Sequence, residues 1–374
     1  MSATTTGRLH WTVVAPPVAA VVLALTWGRS PGGALQTVVY VVAGALLVGA
    51  VLAAVHHAEV VAHRVGEPFG SLVLAVAVTV IEVGLIVTLM LDGGKGVDTL
   101  ARDTVFAAVM ISLNGIVGLA LLVSALRHHL AEFNPEGAGA ALATVLALAG
   151  LTLVLPGFTT SASGLEFSGP QLAFAAVVSV VLYGLFVFTQ TVRHRDFFLP
   201  GEVPRGALDR PDDDADGHAD PPTGRETAVS LALLLVALVS VVGLAKVESP
   251  AIEAAVSALG FPYGFVGVVI ALLVLAPETI AATRAAARRR VQIALNLGFG
   301  SAMASIGLTI PVIAVASVWL DGPLSLGLEP VQLVLLAVTA VVATLTVVPG
   351  RAKPLQGGVH LVLLAAFVFL AINP

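Results

Sequence analysis

Residues 69–91 read FGSLVLAVAVTVIEVGLIVTLML, an apolar run interrupted by a single carboxylate, Glu82. Residues 262–283 repeat the pattern in the second half of the chain, PYGFVGVVIALLVLAPETIAAT, with Glu278 late in the run. Each run has a comparable lead-in, Gly66-Glu67-Pro68-Phe69-Gly70 in one case and Pro262-Tyr263-Gly264-Phe265-Val266-Gly267 in the other. Wound as α-helices, both are long enough to cross the roughly 30 Å hydrocarbon core of a bilayer. A carboxylate facing hydrocarbon is costly unless the protein supplies water, a proton or a partner, so an acid kept there marks function. One such acid in each half implies a transporter whose site lies near the membrane midplane, between two repeats.

The rest of the chain agrees with a membrane setting. Of its 374 residues 57% are hydrophobic and only 11% charged, with a mean hydropathy of +1.00, a composition that cannot clothe a water-soluble domain. Further runs of spanning length lie near 11–28, 35–55, 104–126, 139–157, 171–192, 227–246, 291–319, 329–348 and 355–373. The fold class is therefore all-α: a polytopic membrane protein of about eleven transmembrane helices. A barrel is excluded because the runs are too long for membrane strands and lack polar/apolar alternation. Pro16-Pro17, Pro156 and Pro277 are expected to bend or break their helices, since proline removes a backbone donor and crowds the preceding turn. Cysteine is absent, which excludes disulfides, thiolate metal sites and cysteine nucleophiles. The first run has no small-residue cleavage pattern after it and reads as a retained helix, not a signal peptide.

Threading eleven spans sorts the basic residues by side. Arg8, Arg64, Arg127, Arg193, Arg195, Arg205, Arg210, Arg225, Arg284, Arg288, Arg289, Arg290, Arg351 and Lys353 fall with the N-terminus; Arg29, Lys95, Arg102 and Lys246 fall opposite. Positive residues collect in the cytoplasm, which places the N-terminus inside and the C-terminus outside a cell (inner) membrane. The helices carrying Glu82 and Glu278 then run in opposite directions. The expected organisation is an extra first helix at 11–28, a first five-helix repeat at 35–195, an acidic cytoplasmic linker at 196–226 and an inverted second repeat at 227–373. The linker holds Asp209, Asp212, Asp213, Asp214, Asp216 and Asp220 around His218. Lacking a glycine-punctuated loop with a closing glutamate, it reads as a solvated tether more than a Ca²⁺ sensor. Arg288-Arg289-Arg290 reads as a topology anchor near anionic headgroups.

Two further groups bear on chemistry. The run 104–126 carries Ser112 and Asn114, and the run 291–319 carries Asn296, Ser301 and Ser305 among glycines and alanines. Small residues let helices approach closely, and buried amide or hydroxyl oxygens there either bond to a neighbour or ligate an ion. Ser112 and Ser301 read as packing; Asn114 reads equally as packing or as a ligand. A hard cation needs several oxygens, which Glu82, Glu278, Asn114, Ser305 and carbonyls near Pro277 are able to supply. Cation and protons would compete for the glutamate pair, which is the physical basis of antiport. The second group is His56, His57, Glu59 and His63 near the end of the run that starts at 35. Its spacing is not that of the paired-histidine zinc motif, and the favoured reading is proton entry through Glu59 or His63, or no role at all. A membrane-embedded metalloenzyme built on these four residues is the less favoured alternative.

These residues resemble the calcium/cation antiporter superfamily, and more closely its bacterial calcium/proton antiporter branch, strongest at 59–87 and 265–311. The resemblance implies an eleven-helix fold with inverted repeats, a central cation site and one essential glutamate per repeat, at Glu82 and Glu278. It also maps polar ligands to Asn114 and Ser305. Two departures matter: a polar residue three places before the glutamate is present as Thr79 but replaced by Leu275, and Ser305 stands where some exchangers carry an aspartate. The function this implies is secondary active exchange, first of all Ca²⁺ export for H⁺, with Na⁺(K⁺)/H⁺ antiport as the alternative. No enzyme activity is expected, and no cofactor, since the chain has no phosphate-cradling glycine-rich motif to hold ATP. A passive channel is disfavoured because the acids form one pair, not rings along a pore. The expected partners are the lipid bilayer, inorganic cations and protons, with no nucleic acid and an open oligomeric state.

Overall fold

The computed structural model describes residues 10–29, 32–66, 69–92, 96–199, 222–319 and 323–374. Most of the expected acidic linker, with the six aspartates named above and His218, lies outside the described residues. The helices are α1 Trp11–Thr26, α2 Ala34–Val65, α3 Phe69–Asp92, α4 Val97–Met110, α5 Val117–His128, α6 Pro135–Ala149, α7 Gly169–Phe188, α8 Gly224–Ala258, α9 Phe265–Ala287, α10 Val291–Gly307, α11 Thr309–Ala316, α12 Pro330–Val347 and α13 Pro354–Ile372. A π-helical turn, Ile111–Ile116, joins α4 and α5 into one rod. α10 and α11 part at Leu308, just before Pro311. Among the described residues, ten helices are long and apolar enough to cross a membrane, and α1 is a shorter apolar helix. Together they match the eleven runs read from the sequence.

Pro16, Pro17 and Pro277 do not break their helices, which run through them without interruption. Membrane helices tolerate the missing rung where neighbouring helices, hydroxyl side chains or small local adjustments satisfy the freed groups. Pro156 lies in a 3-10 turn, Leu155–Phe158, that closes this span after α6 has passed into a π turn at Gly150–Val154. Three helices are also longer than their apolar runs. α2 continues past 55 to Val65, α8 past 246 to Ala258, and α4 begins at Val97, ahead of 104. Backbone hydrogen bonding does not require apolar side chains, so a helix carries on through polar turns that a hydropathy window excludes.

By its internal contacts the chain divides into two compact units. The first comprises α1, α2, α3 as far as Thr88 and α8 as far as Ala251. Its close approaches fall at glycines: Gly70 of α3 against the carbonyl of Ala62, Gly84 of α3 against Val242 of α8, and Gly243 of α8 against Leu23 of α1. The second unit holds the remaining helices. There a Cβ on Gly267 of α9 would stand 2.7 Å from the Thr104 nitrogen, and one on Gly357 of α13 would stand 2.8 Å from the Gly118 carbonyl oxygen. In a lipid environment such close backbone contacts supply packing that the hydrophobic effect does not. A two-residue antiparallel ladder, β1 Ala131–Glu132 with β2 Arg351–Ala352, ties the α5–α6 and α12–α13 loops of this unit.

The second unit also contains a buried ionic cluster in a place the sequence reading left as loop. In α4, Arg102 Nε donates to Asp103 Oδ1 at 2.8 Å and its Nη2 reaches Glu329 at 3.2 Å. Asp103 further accepts from Gln332 at 3.1 Å and from Thr99 at 3.0 Å. The cluster thus joins α4 to the start of α12, with the Arg102 and Asp103 charges paired and hydrogen-bonded.

Candidate membrane exchange site

α3 places Thr79 and Glu82 three residues apart, on one face of the helix. Both are buried, Glu82 at 2% exposure among Val78, Ile81 and Val83. The Thr79 hydroxyl is enclosed and makes no hydrogen bond among the described residues, leaving its oxygen available as a ligand. These two residues belong to the first unit.

The other expected site residues belong to the second unit. Glu278 is buried in α9 directly after Pro277, and Thr279 and Thr283 beside it return their hydroxyls to the carbonyls one turn back, at 2.7 Å each. Ser112 and Asn114 lie wholly buried on the π turn between α4 and α5. A π turn inserts one residue into the ladder and changes which side chains share a face, a device often found at functional sites. Gly298 of α10 makes room for this turn: a Cβ there would stand 2.9 Å from Val117 and 3.4 Å from the Ser112 carbonyl oxygen. Two turns along α10, Ser305 is buried just before the helix parts at Leu308. Asn296, a further candidate from the sequence, instead caps loop structure, donating to the Phe198 carbonyl at 2.7 Å and accepting from Gln292 at 2.9 Å.

Asn114 is held on both sides. Its Nδ2 donates to Thr339 of α12 at 3.0 Å, and its Oδ1 lies 3.0 Å from Nδ1 of His360 in α13. Because the carboxamide oxygen accepts, Nδ1 of His360 carries the proton; its Nε2 pairs with the Thr346 hydroxyl at 3.2 Å. His360 is 1% exposed. Sequence reasoning missed this residue, whose only signal was one imidazole inside the apolar run 355–373. The carboxamide oxygen keeps a second lone pair, so a fixed Asn114 is able to act as a ligand without losing its bond to His360.

The histidine group at the end of α2 does not converge. His57 is buried and turned toward α1, with Nε2 2.9 Å from the Thr12 carbonyl oxygen. His56 and Glu59 are exposed and His63 is half-buried. Among the described residues no three histidine or carboxylate side chains gather closely enough to hold a metal ion. The metalloenzyme reading fails on this geometry, because the four side chains do not gather into a metal-binding set.

Comparison with known proteins agrees with this arrangement. The sodium/calcium exchanger protein family model matches residues 35–192 and 229–373. The y4hA protein of Sinorhizobium fredii is 46% identical over 364 residues, covering 97% of this chain and 96% of that one. The sodium-potassium/proton antiporter ChaA of Escherichia coli is 33% identical over 357 residues, 94% of this chain and 93% of that one. Among solved structures, native YfkE superposes with a TM-score of 0.69 at 16% identity, covering 97% of this chain and 99% of that one, which shows a shared fold. With a family match over both halves and relatives that span nearly its whole length, the chain belongs to the sodium/calcium exchanger family, within the calcium/cation antiporter superfamily, and is a membrane cation exchanger, not an enzyme.

Proposed function

We propose that this chain is a secondary antiporter that exchanges a monovalent cation, Na⁺ or K⁺, for protons across the cell inner membrane. The observation that carries the proposal is the pair of buried glutamates, Glu82 and Glu278, each on an apolar membrane helix of an exchanger-family chain. Each carboxylate takes up a proton or takes part in holding a cation, and the two occupancies exclude one another. Cation loading therefore displaces protons, and a proton gradient is the energy source. Thr79 adds a neutral oxygen in the unit that carries Glu82, and Asn114 and Ser305 add neutral oxygens in the unit that carries Glu278. The full-length likeness to an antiporter named for sodium and potassium supports the monovalent choice. So does the oxygen-poor second half, where Leu275 and Ser305 replace polar or acidic positions. The excess of basic residues on one side supports a cytoplasmic N-terminus and an external C-terminus. In that orientation, exposed Glu59 and half-buried His63, one turn apart at the inner end of α2, serve as a proton entry.

Calcium is the second reading. Two carboxylates balance the charge of one divalent ion, and the matching family is named for calcium as well as sodium. Everted membrane vesicles with an acidic interior separate the two. K⁺, Na⁺ and Ca²⁺ are added singly while a pH-sensitive dye reports the gradient. Collapse by K⁺ or Na⁺ in preference to Ca²⁺ is the expected result. Collapse by Ca²⁺ alone would replace the monovalent ion with the divalent one, and no collapse by any of the three would defeat proton coupling.

A further inference from the structure

A further buried carboxylate lies among the membrane helices, outside the residues discussed so far. Glu248 belongs to α8 and is 6% exposed. Its Oε1 is enclosed with no hydrogen-bond partner, and it enters no ion pair among the described residues. Its other oxygen, Oε2, lies over Gly44 of α2, 3.5 Å from the point a Cβ would occupy. The missing side chain at Gly44 gives the carboxyl its room between α2 and α8. Ser249 beside it is 2% exposed, and Pro250, two residues on, takes one rung out of the α8 ladder at this level. All four residues belong to the unit that carries Glu82.

The usual structural role for a buried membrane acid is a neutral carboxyl that hydrogen-bonds across helices. Among the described residues Glu248 makes no such bond, so packing alone would be served as well by glutamine or leucine. A hard cation needs more oxygens than this place offers. A single buried carboxyl suits a proton. We propose that Glu248 takes up and releases a proton during the exchange cycle, as a third proton-carrying carboxylate of the membrane domain. The step is dissociation of the acid O–H to water and its reversal, with no redox change. The proposal rests on the antiport reading given above. The ionisable groups along the elements around it are few. α8 itself carries Lys246 and Glu253, with Arg225 and Glu226 at its other end, α2 carries Tyr40 one turn from Gly44, and His56, His57, Glu59, His63 and Arg64 lie three or more turns away. α1 carries none, and α3 carries Glu82 and, as its last residue, Asp92.

The test compares wild type, Glu248→Gln and Glu248→Asp in vesicles, measuring the rate of cation-driven proton movement against pH and the protons moved per cation. The expected result is that Glu248→Gln flattens the pH profile and lowers the proton-to-cation ratio, while Glu248→Asp restores both in part. A glutamine variant that matches wild type in both readouts, or that slows exchange by one constant factor at every pH, would overturn the proposal. Carbodiimide labelling of the wild-type protein, mapped by peptide mass, covers the case of a variant that does not assemble. Labelling of Glu248 that declines as pH rises supports proton exchange there; labelling unchanged across pH contradicts it. Wild-type protein without cation-driven flux would count against the antiport reading itself, and the labelling would still decide whether Glu248 titrates.

Discussion

His360 and Asn114 stand 246 positions apart in the chain and share a hydrogen bond of 3.0 Å in a wholly buried setting. Removing one side of such a bond leaves a buried oxygen unsatisfied, at a cost of about 1–3 kcal/mol. His360→Phe is therefore expected to lower the thermal midpoint and, by releasing the Asn114 carboxamide, to raise the cation KM more than it lowers the maximal rate. His360→Gln, which keeps a donor, should recover part of the KM. Thermal unfolding and vesicle flux against cation concentration check both; an unchanged KM in His360→Phe would mean that the imidazole does not position Asn114 for binding. The two glutamates were legible in the sequence because a carboxylate in a long apolar run contradicts its surroundings. His360 was not, because its partners, Asn114 and Thr346, come from other helices. Glu248 was hidden for a different reason: the apolar run of its helix ends at 246, so the acid fell just outside the window.

Helix existence and order were legible element by element, since apolar runs of spanning length have few alternatives in a bilayer. Their ends were not, because a window of hydropathy stops at the first cluster of polar residues whereas the helix ladder does not. The π turn at Ile111–Ile116 was also invisible: its sequence, ISLNGI, advertises small and polar residues but not a change of hydrogen-bond register. Glycine packing gives this scale its prediction. A Cβ on Gly267 would press on the backbone of Asp103 and Thr104, which cannot rotate away, whereas a Cβ on Gly300 meets nothing within 4 Å. Gly267→Ala is expected to destabilise the protein by about 1–3 kcal/mol, the usual range for overpacking. Gly300→Ala should be close to neutral. Unfolding temperatures in detergent compare them, and equal stability of the two variants would contradict the close α4–α9 contact.

At the scale of the whole molecule, the chain order and the packing follow different divisions. The acidic segment between α7 and α8 marks where the two expected repeats meet in sequence. The first compact unit nevertheless draws α1, α2 and α3 from one half and α8 from the other. Contacts between distant segments decide such grouping, and a sequence carries no direct record of them. What did carry through is the placing of one buried acid deep in an apolar run of each half, Glu82 and Glu278, one in each unit. The central claim is that both are needed to couple cation to proton. The most direct test is cation-triggered proton flux in everted vesicles carrying wild type, Glu82→Gln or Glu278→Gln at matched membrane levels. Flux in each variant is predicted to fall to the level of vesicles without the protein. Exchange at the wild-type rate in either variant would contradict the account.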